Sequence, residues 1–135
     1  MQWPSISGGY LAVLALVYAA LAVNVVRLRR QNLAAFGDAG NPALRSAIRA
    51  HGHFAEYVPI IVLMVAMLEM SGTAAWRVHL LMGALLISRL LHPFGMYAKP
   101  GTSTFRIGRV AGVTLTLLVL IASAVAILSR VLRGM

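Results

Sequence analysis

The sequence predicts an all-α membrane protein, an up-down bundle of four transmembrane helices. Of its 135 residues, 60% are hydrophobic and only 11% are charged, whereas a soluble domain carries about a quarter charged residues. Mean hydropathy is +0.84. Four apolar runs stand out, at residues 6–26, 54–70, 74–87 and 110–128. Crossing a bilayer takes about 20 helical residues. The first and fourth runs meet that length alone, and the second and third meet it once their polar ends, residues 42–54 and 88–96, are counted as helix. The connections between them are short, so one four-helix domain occupies residues 1–135 and no soluble domain is left over.

Helix one is expected over residues 7–30. No positive charge precedes its apolar run and Arg27, Arg29 and Arg30 follow it, the reverse of a secretory signal peptide, so it reads as a retained span. Residues 31–41 form the longest loop, with Gly37, Asp38 and Gly40 as turn residues. Asn41 followed by Pro42 reads as an N-cap with proline at the first helical position. Helix two then covers residues 42–70, a length of roughly 43 Å at about 1.5 Å per residue. A hydrocarbon core is only about 30 Å thick, so the first turns should project from it. Pro59 predicts a kink, which membrane helices tolerate.

Residues 71–73 make a tight turn. Helix three is expected over 75–96, with His92-Pro93-Phe94-Gly95 breaking or bending it. A polar loop from Lys99 to Thr104 leads to helix four, residues 105–130.

The formal net charge of +9 would point to nucleic acid in a soluble protein. Its placement assigns it to topology instead. Arg27, Arg29, Arg30, Arg45 and Arg49 flank the first loop, and Lys99, Arg106 and Arg109 the third; the opposite face has Arg77, Arg130 and Arg133. By the positive-inside rule loops one and three are cytoplasmic and both termini lie outside. There is no cysteine, so any thiol chemistry needs a thiol from a ligand.

The segment from Arg49 to Pro59 carries the chemistry. Charged groups inside a membrane span cost roughly 2.5 to 3.5 kcal/mol each near its centre and are seldom kept without a use. With Arg49 at zero on the helical wheel, Arg45, Glu56, His53 and Tyr57 all fall within an arc of about 120°, and His51 lies near 200°. Two occupations compete for this arc: an internal Arg49–Glu56 ion pair, or a binding site that also uses His53 and Tyr57. His51's position opposite is easiest to satisfy if helix two meets a neighbouring subunit. On helix three, Arg89 and His92 share a face three residues apart. Arg106 and Arg109 open helix four, where cations oppose the helix dipole and suit an anionic ligand. His51 and His53 diverge by about 160° and cannot chelate one ion. His53, Glu56 and His92 could together supply three metal ligands, but Arg49 crowds that position, and no metal is assigned. His79 reads as an interfacial residue without a role.

These residues resemble the MAPEG family, the membrane-associated proteins of eicosanoid and glutathione metabolism. Its helix-two pattern, Arg-Ala-x-x-Asn-x-x-Glu-Tyr-x-Pro, is matched in register by Arg49-Ala50, Glu56-Tyr57 and Pro59. Arg89 and the stretch to Gly95 are similar to the Arg-x-x-x-x-x-Gly that closes the family's helix three. The fuller pattern, with His51, Phe54-Ala55 and Val58, is most similar to the small bacterial branch. The resemblance implies a homotrimer in the bacterial inner membrane, with glutathione between adjacent subunits as thiol co-substrate and a lipophilic electrophile as the other. By position, Arg49, Glu56 and Tyr57 would hold the tripeptide's charged ends and His51 a polar contact. An arginine at the start of helix four, Arg106 or Arg109, would stabilise the thiolate. His53 stands where the family has asparagine, and His92 where a ligand-contacting tyrosine is common; both are carried as candidate ligand contacts with Arg89.

Two other functions compete. One is a membrane scaffold that kept the fold and lost catalysis, in keeping with the altered His53 and His92 positions. The other is a small proton-coupled exporter, which needs a freely exchanging intramembrane carboxylate. Glu56 shares its face with Arg45 and Arg49, which should hold it ionised.

Overall fold

The computed structural model describes residues 3–98 and 101–134, and Lys99, counted above among the basic flanks, lies outside them. The described residues form four long helices and no strand. Helix α1 is Ser5–Gln31, α2 is Pro42–Met70 and α3 is Ala75–Tyr97. The fourth span, α4, covers Ser103–Gly134. It opens with a single α-turn, Ser103–Arg106, passes through a π-helical turn, Ile107–Ala111, and continues as regular helix over Gly112–Gly134. All four are long and apolar enough to cross a membrane.

Local chemistry sets the boundaries. Asn41 caps α2 by accepting from the amides of Ala43 and Leu44, with Pro42 at the first helical position. The α1–α2 loop is tied down from both sides. Arg29 donates to the carbonyls of Ala34, Ala35 and Gly37, and Asn41 Nδ2 donates to Asn32 Oδ1 at 2.7 Å. Helix three does not break at Pro93; it continues to Tyr97, and Ala98 is extended. Proline removes only its own donor, and a membrane bundle tolerates that loss.

The core is a stripe rather than a centre. In α2 the buried positions, Ala47, Ala50, Phe54, Val58, Ile61, Val65 and Leu68, recur every three or four residues. Of these, Phe54, Val58, Ile61 and Val65 form one cluster with Leu14 of α1, Val78, Met82 and Leu85 of α3, and Val119 of α4. Large apolar side chains also point outward, among them Leu16, Leu80 and Leu118 at 73%, 64% and 58% exposure. A helix apolar on both faces is at home in lipid.

Helices α3 and α4 approach most closely where glycines face each other. A β-carbon on Gly95 would lie 2.3 Å from the Arg109 backbone nitrogen, and one on Gly108 would lie 2.6 Å from the Gly95 nitrogen. Gly112 continues the seam one turn on, with a β-carbon 3.2 Å from that of His92. Small residues let membrane helices pack backbone to backbone. Gly108 sits inside the π-turn, which gives that turn a structural occasion: the extra residue per turn arises where the two backbones touch.

The opposite end of the bundle is held by charged caps. Pro4 gives α1 no side-chain cap. The carboxylate of Glu69, from the end of α2, accepts from the Ile6 and Ser7 amides at 2.9 and 2.8 Å instead. An anion there satisfies orphan donors and opposes the dipole favourably. Arg130 of α4 donates to the Ser71 carbonyl, to Ser71 Oγ at 2.7 Å and to Thr73 Oγ1 at 2.9 Å, pinning the α2–α3 turn.

Candidate functional site

The first turns of α2, the last turn of α3 and the start of α4 enclose a cavity of about 520 Å³ at the loop-one end of the bundle. Arg45, Arg49 and Arg109 line it, with Tyr97 and Phe105 as aromatic walls. The geometry follows from the fold. The first turns of α2 carry Arg45 and Arg49, and the glycine seam brings α4 close enough to add Arg109. Arg109 lies over the Phe105 ring at 5.4 Å, within the range of a cation–π contact.

Charge in this cavity is one-sided. Arg45 pairs with Asp38 across the loop, and the guanidinium holds that carboxyl below its ordinary range. Arg49 and Arg109 have no ion pair among the described residues. The alternative of an Arg49–Glu56 ion pair is therefore not formed within the described chain. Glu56 is exposed, with its carboxylate near its own helix at Gly52, whose β-carbon would lie 3.9 Å away. The two arginines at the start of α4 are now distinguishable: both are exposed, but Arg109 lines the cavity and Arg106 does not.

The other candidates turn inward. Arg89 is 2% exposed. It donates to the His53 carbonyl at 3.2 Å, to Thr116 Oγ1, to the Gly112 carbonyl at 3.5 Å and to Ser88 Oγ at 3.4 Å. It thus ties α2, α3 and α4 together through neutral oxygens. His53 Nδ1 and His92 Nε2 share a hydrogen bond of 2.9 Å, and the other ring nitrogen of His92 is buried without a protein partner. Among the described residues no group of three histidines or carboxylates gathers in the manner of a metal site.

Tyr57 is half-buried against the hydrophobic core. His51 does not need a neighbouring subunit for its contact: it stacks on Tyr18 of α1, ring centroids 4.6 Å apart. Tyr18 also meets Phe54, and with Leu11, Leu14, Val58 and Pro59 it lines an apolar groove of about 300 Å³. His79, assigned no role from sequence, contacts the Tyr10 hydroxyl at 3.4 Å.

The fold and the arginine-lined cavity define a small polytopic membrane protein with an anion-receptive pocket between helices two, three and four. The comparisons with known proteins are specific. The MAPEG family profile matches residues 7–129, and the chain belongs to that family. It is 39% identical over 94 residues to the inner membrane protein YecN of Escherichia coli K12, an alignment covering 70% of this chain and 72% of the relative. The YecN protein of the E. coli O6:H1 strain CFT073 matches to the same extent. The four spans and these relatives support a multi-pass, inner-membrane location. No solved structure matches the chain significantly.

Proposed function

We propose that this protein binds glutathione and transfers it to, or uses it to reduce, lipophilic electrophiles, acting as a homotrimer with both termini outside the cytoplasm. The observation that carries the reading is the cavity lined by Arg45, Arg49 and Arg109, two of which have no carboxylate partner among the described residues. Glutathione brings two carboxylates, one ammonium and a thiol. Guanidinium groups bind carboxylates through charge-assisted, often bidentate hydrogen bonds.

Arg109 is the group we assign to the thiol. A cysteine thiol has a pKa of about 8.5 and reacts as the thiolate. Lowering that value by two units takes about 2.7 kcal/mol. A guanidinium at about 4 Å offers roughly 4 kcal/mol at an effective dielectric near 20, so one arginine is sufficient. The ammonium calls for a carboxylate, and Glu56 lies on the exposed face of the single chain rather than in the arginine cavity. A neighbouring copy that presents its own Glu56 to this cavity would complete the site, which is the physical case for an oligomer. The apolar groove beside Tyr18 and Pro59 suits an electrophile arriving from lipid.

A second reading, a scaffold without catalysis, is favoured by one observation: His53, His92 and Arg89 are engaged with each other's helices instead of facing a ligand. Calorimetric titration of glutathione into the detergent-purified protein tests binding. Saturable heat that disappears in Arg49→Ala supports the site. Absence of heat with the intact protein sinks the glutathione reading.

A further inference from the structure

The end of the bundle that carries the termini holds a second basic cavity. Between α2, α3 and α4 a space of about 530 Å³ is lined by Arg77, Arg130 and Arg133, with Ser129 and the α2–α3 turn at its rim. Its floor is apolar, formed by Leu68, Leu81 and Ala126. Among the described residues no acidic side chain lines it; Glu69, near this end, is already bonded to the α1 amides. A second, narrower space of about 160 Å³ shares Leu68, Ser71 and Arg130 with the first, and is otherwise walled by Met67, Ile127 and Val131. The two spaces adjoin across these shared residues, the larger one basic and the smaller one aliphatic.

This arrangement runs against the charge bias of the rest of the chain, which keeps arginine at the other face. Flanking arginines that merely anchor a helix point outward around the rim. Here three exposed arginines from two helices line one space; Arg77 rests over the Trp76 ring at 5.2 Å, and Arg130 is fixed by the Ser71 carbonyl, Ser71 Oγ and Thr73 Oγ1. A guanidinium already immobilised loses little entropy on meeting an anion.

We propose that these two spaces bind one anionic phospholipid, its phosphate at Arg77, Arg130 and Arg133 and an acyl chain along Met67, Ile127 and Val131. The site is independent of the glutathione cavity. Basic side chains at a membrane surface favour anionic lipid by about fivefold per charge. Removing two of them should weaken retention on the order of thirtyfold.

The test is native mass spectrometry of the detergent-purified protein, supplied with dioleoylphosphatidylglycerol or dioleoylphosphatidylcholine. Arg77 and Arg133 are both exposed, so Arg77→Gln/Arg133→Gln keeps the Arg130 clamp and the core intact. Ile127→Trp fills the tail. The proposal expects adducts of the anionic lipid to outlast those of the zwitterionic one in the unaltered protein, and to be lost in both variants. Equal retention of the two lipids, or unchanged retention in the arginine variant, overturns it. Displacement of the lipid by millimolar inorganic phosphate, with no effect of Ile127→Trp, also overturns it by assigning the site to a free anion.

Discussion

Gly108→Ala probes how the fold places the cavity. The added β-carbon would stand 2.6 and 2.7 Å from the Gly95 nitrogen and Cα, and 3.1 Å from the Leu91 carbonyl oxygen, where ordinary contact begins at 3.4 Å. All three obstacles are backbone, so no side chain can turn aside. The α3 and α4 backbones must part by about 1 Å, the shortfall against normal contact. Overpacking of this kind costs about 1–3 kcal/mol, and more where backbone is the obstacle. The same displacement draws Arg109 away from Arg49 and loosens Arg89 from Thr116. Two readouts follow: thermal unfolding in detergent should shift down, and glutathione affinity should fall by about tenfold or more. Gly9→Ala is the control, because its β-carbon meets nothing within 4 Å. Alanine there should be neutral or stabilising by about 0.5–1 kcal/mol. A Gly108→Ala protein that unfolds and binds like the parent would refute the claim that the seam sets the cavity.

Other expectations are separable. Arg109→Ala should abolish glutathione activation while Arg106→Ala leaves affinity within about twofold, as follows from one residue lining the cavity and the other not; equal losses would dissolve the distinction. Arg89→Ala should destabilise the bundle by roughly 3 kcal/mol or more, at about 0.6 kcal/mol for each of its four intramembrane hydrogen bonds plus a cavity term, measurable by thermal unfolding in detergent. Glu69→Gln should weaken the α1 N-terminus by about 1 kcal/mol, read as faster amide exchange at Ile6 and Ser7. Asp38 has its pKa lowered in the fold, chiefly by Arg45. Its contribution is therefore complete above the ordinary carboxylate pKa and lost as pH falls through the lower folded value. Exchange of the Gly40 amide, which bonds to Asp38, should quicken only over that acidic range, and Asp38→Asn should erase the dependence.

Where local rules act alone, the sequence was readable. Asn41 and Pro42 define the start of α2 because capping involves only four consecutive residues, Asn41 to Leu44, and the apolar lengths define the four spans. The break at His92–Gly95 did not occur, because Pro93 forfeits one donor while packing against α4 holds the helix. The π-turn depends on Gly108 meeting Gly95, a contact between distant residues with no local signal. Arg89 shows the same limit at the site: its depth in helix three was legible, but its partners, Thr116 and the His53 carbonyl, lie on other helices. Glu69 was the opposite case. It is one of only three acids and sits at the end of the bundle where α1 begins without a side-chain cap, so counting acids against orphan helix ends would have found it.

The central claim is that a guanidinium at the start of α4 activates a bound thiol. The most direct test is ultraviolet difference absorbance of glutathione added to the purified protein at neutral pH, beside Arg109→Ala. The account predicts a thiolate signal at saturation in the parent and none in the variant. Binding without thiolate in the parent would contradict it and leave the scaffold as the better description.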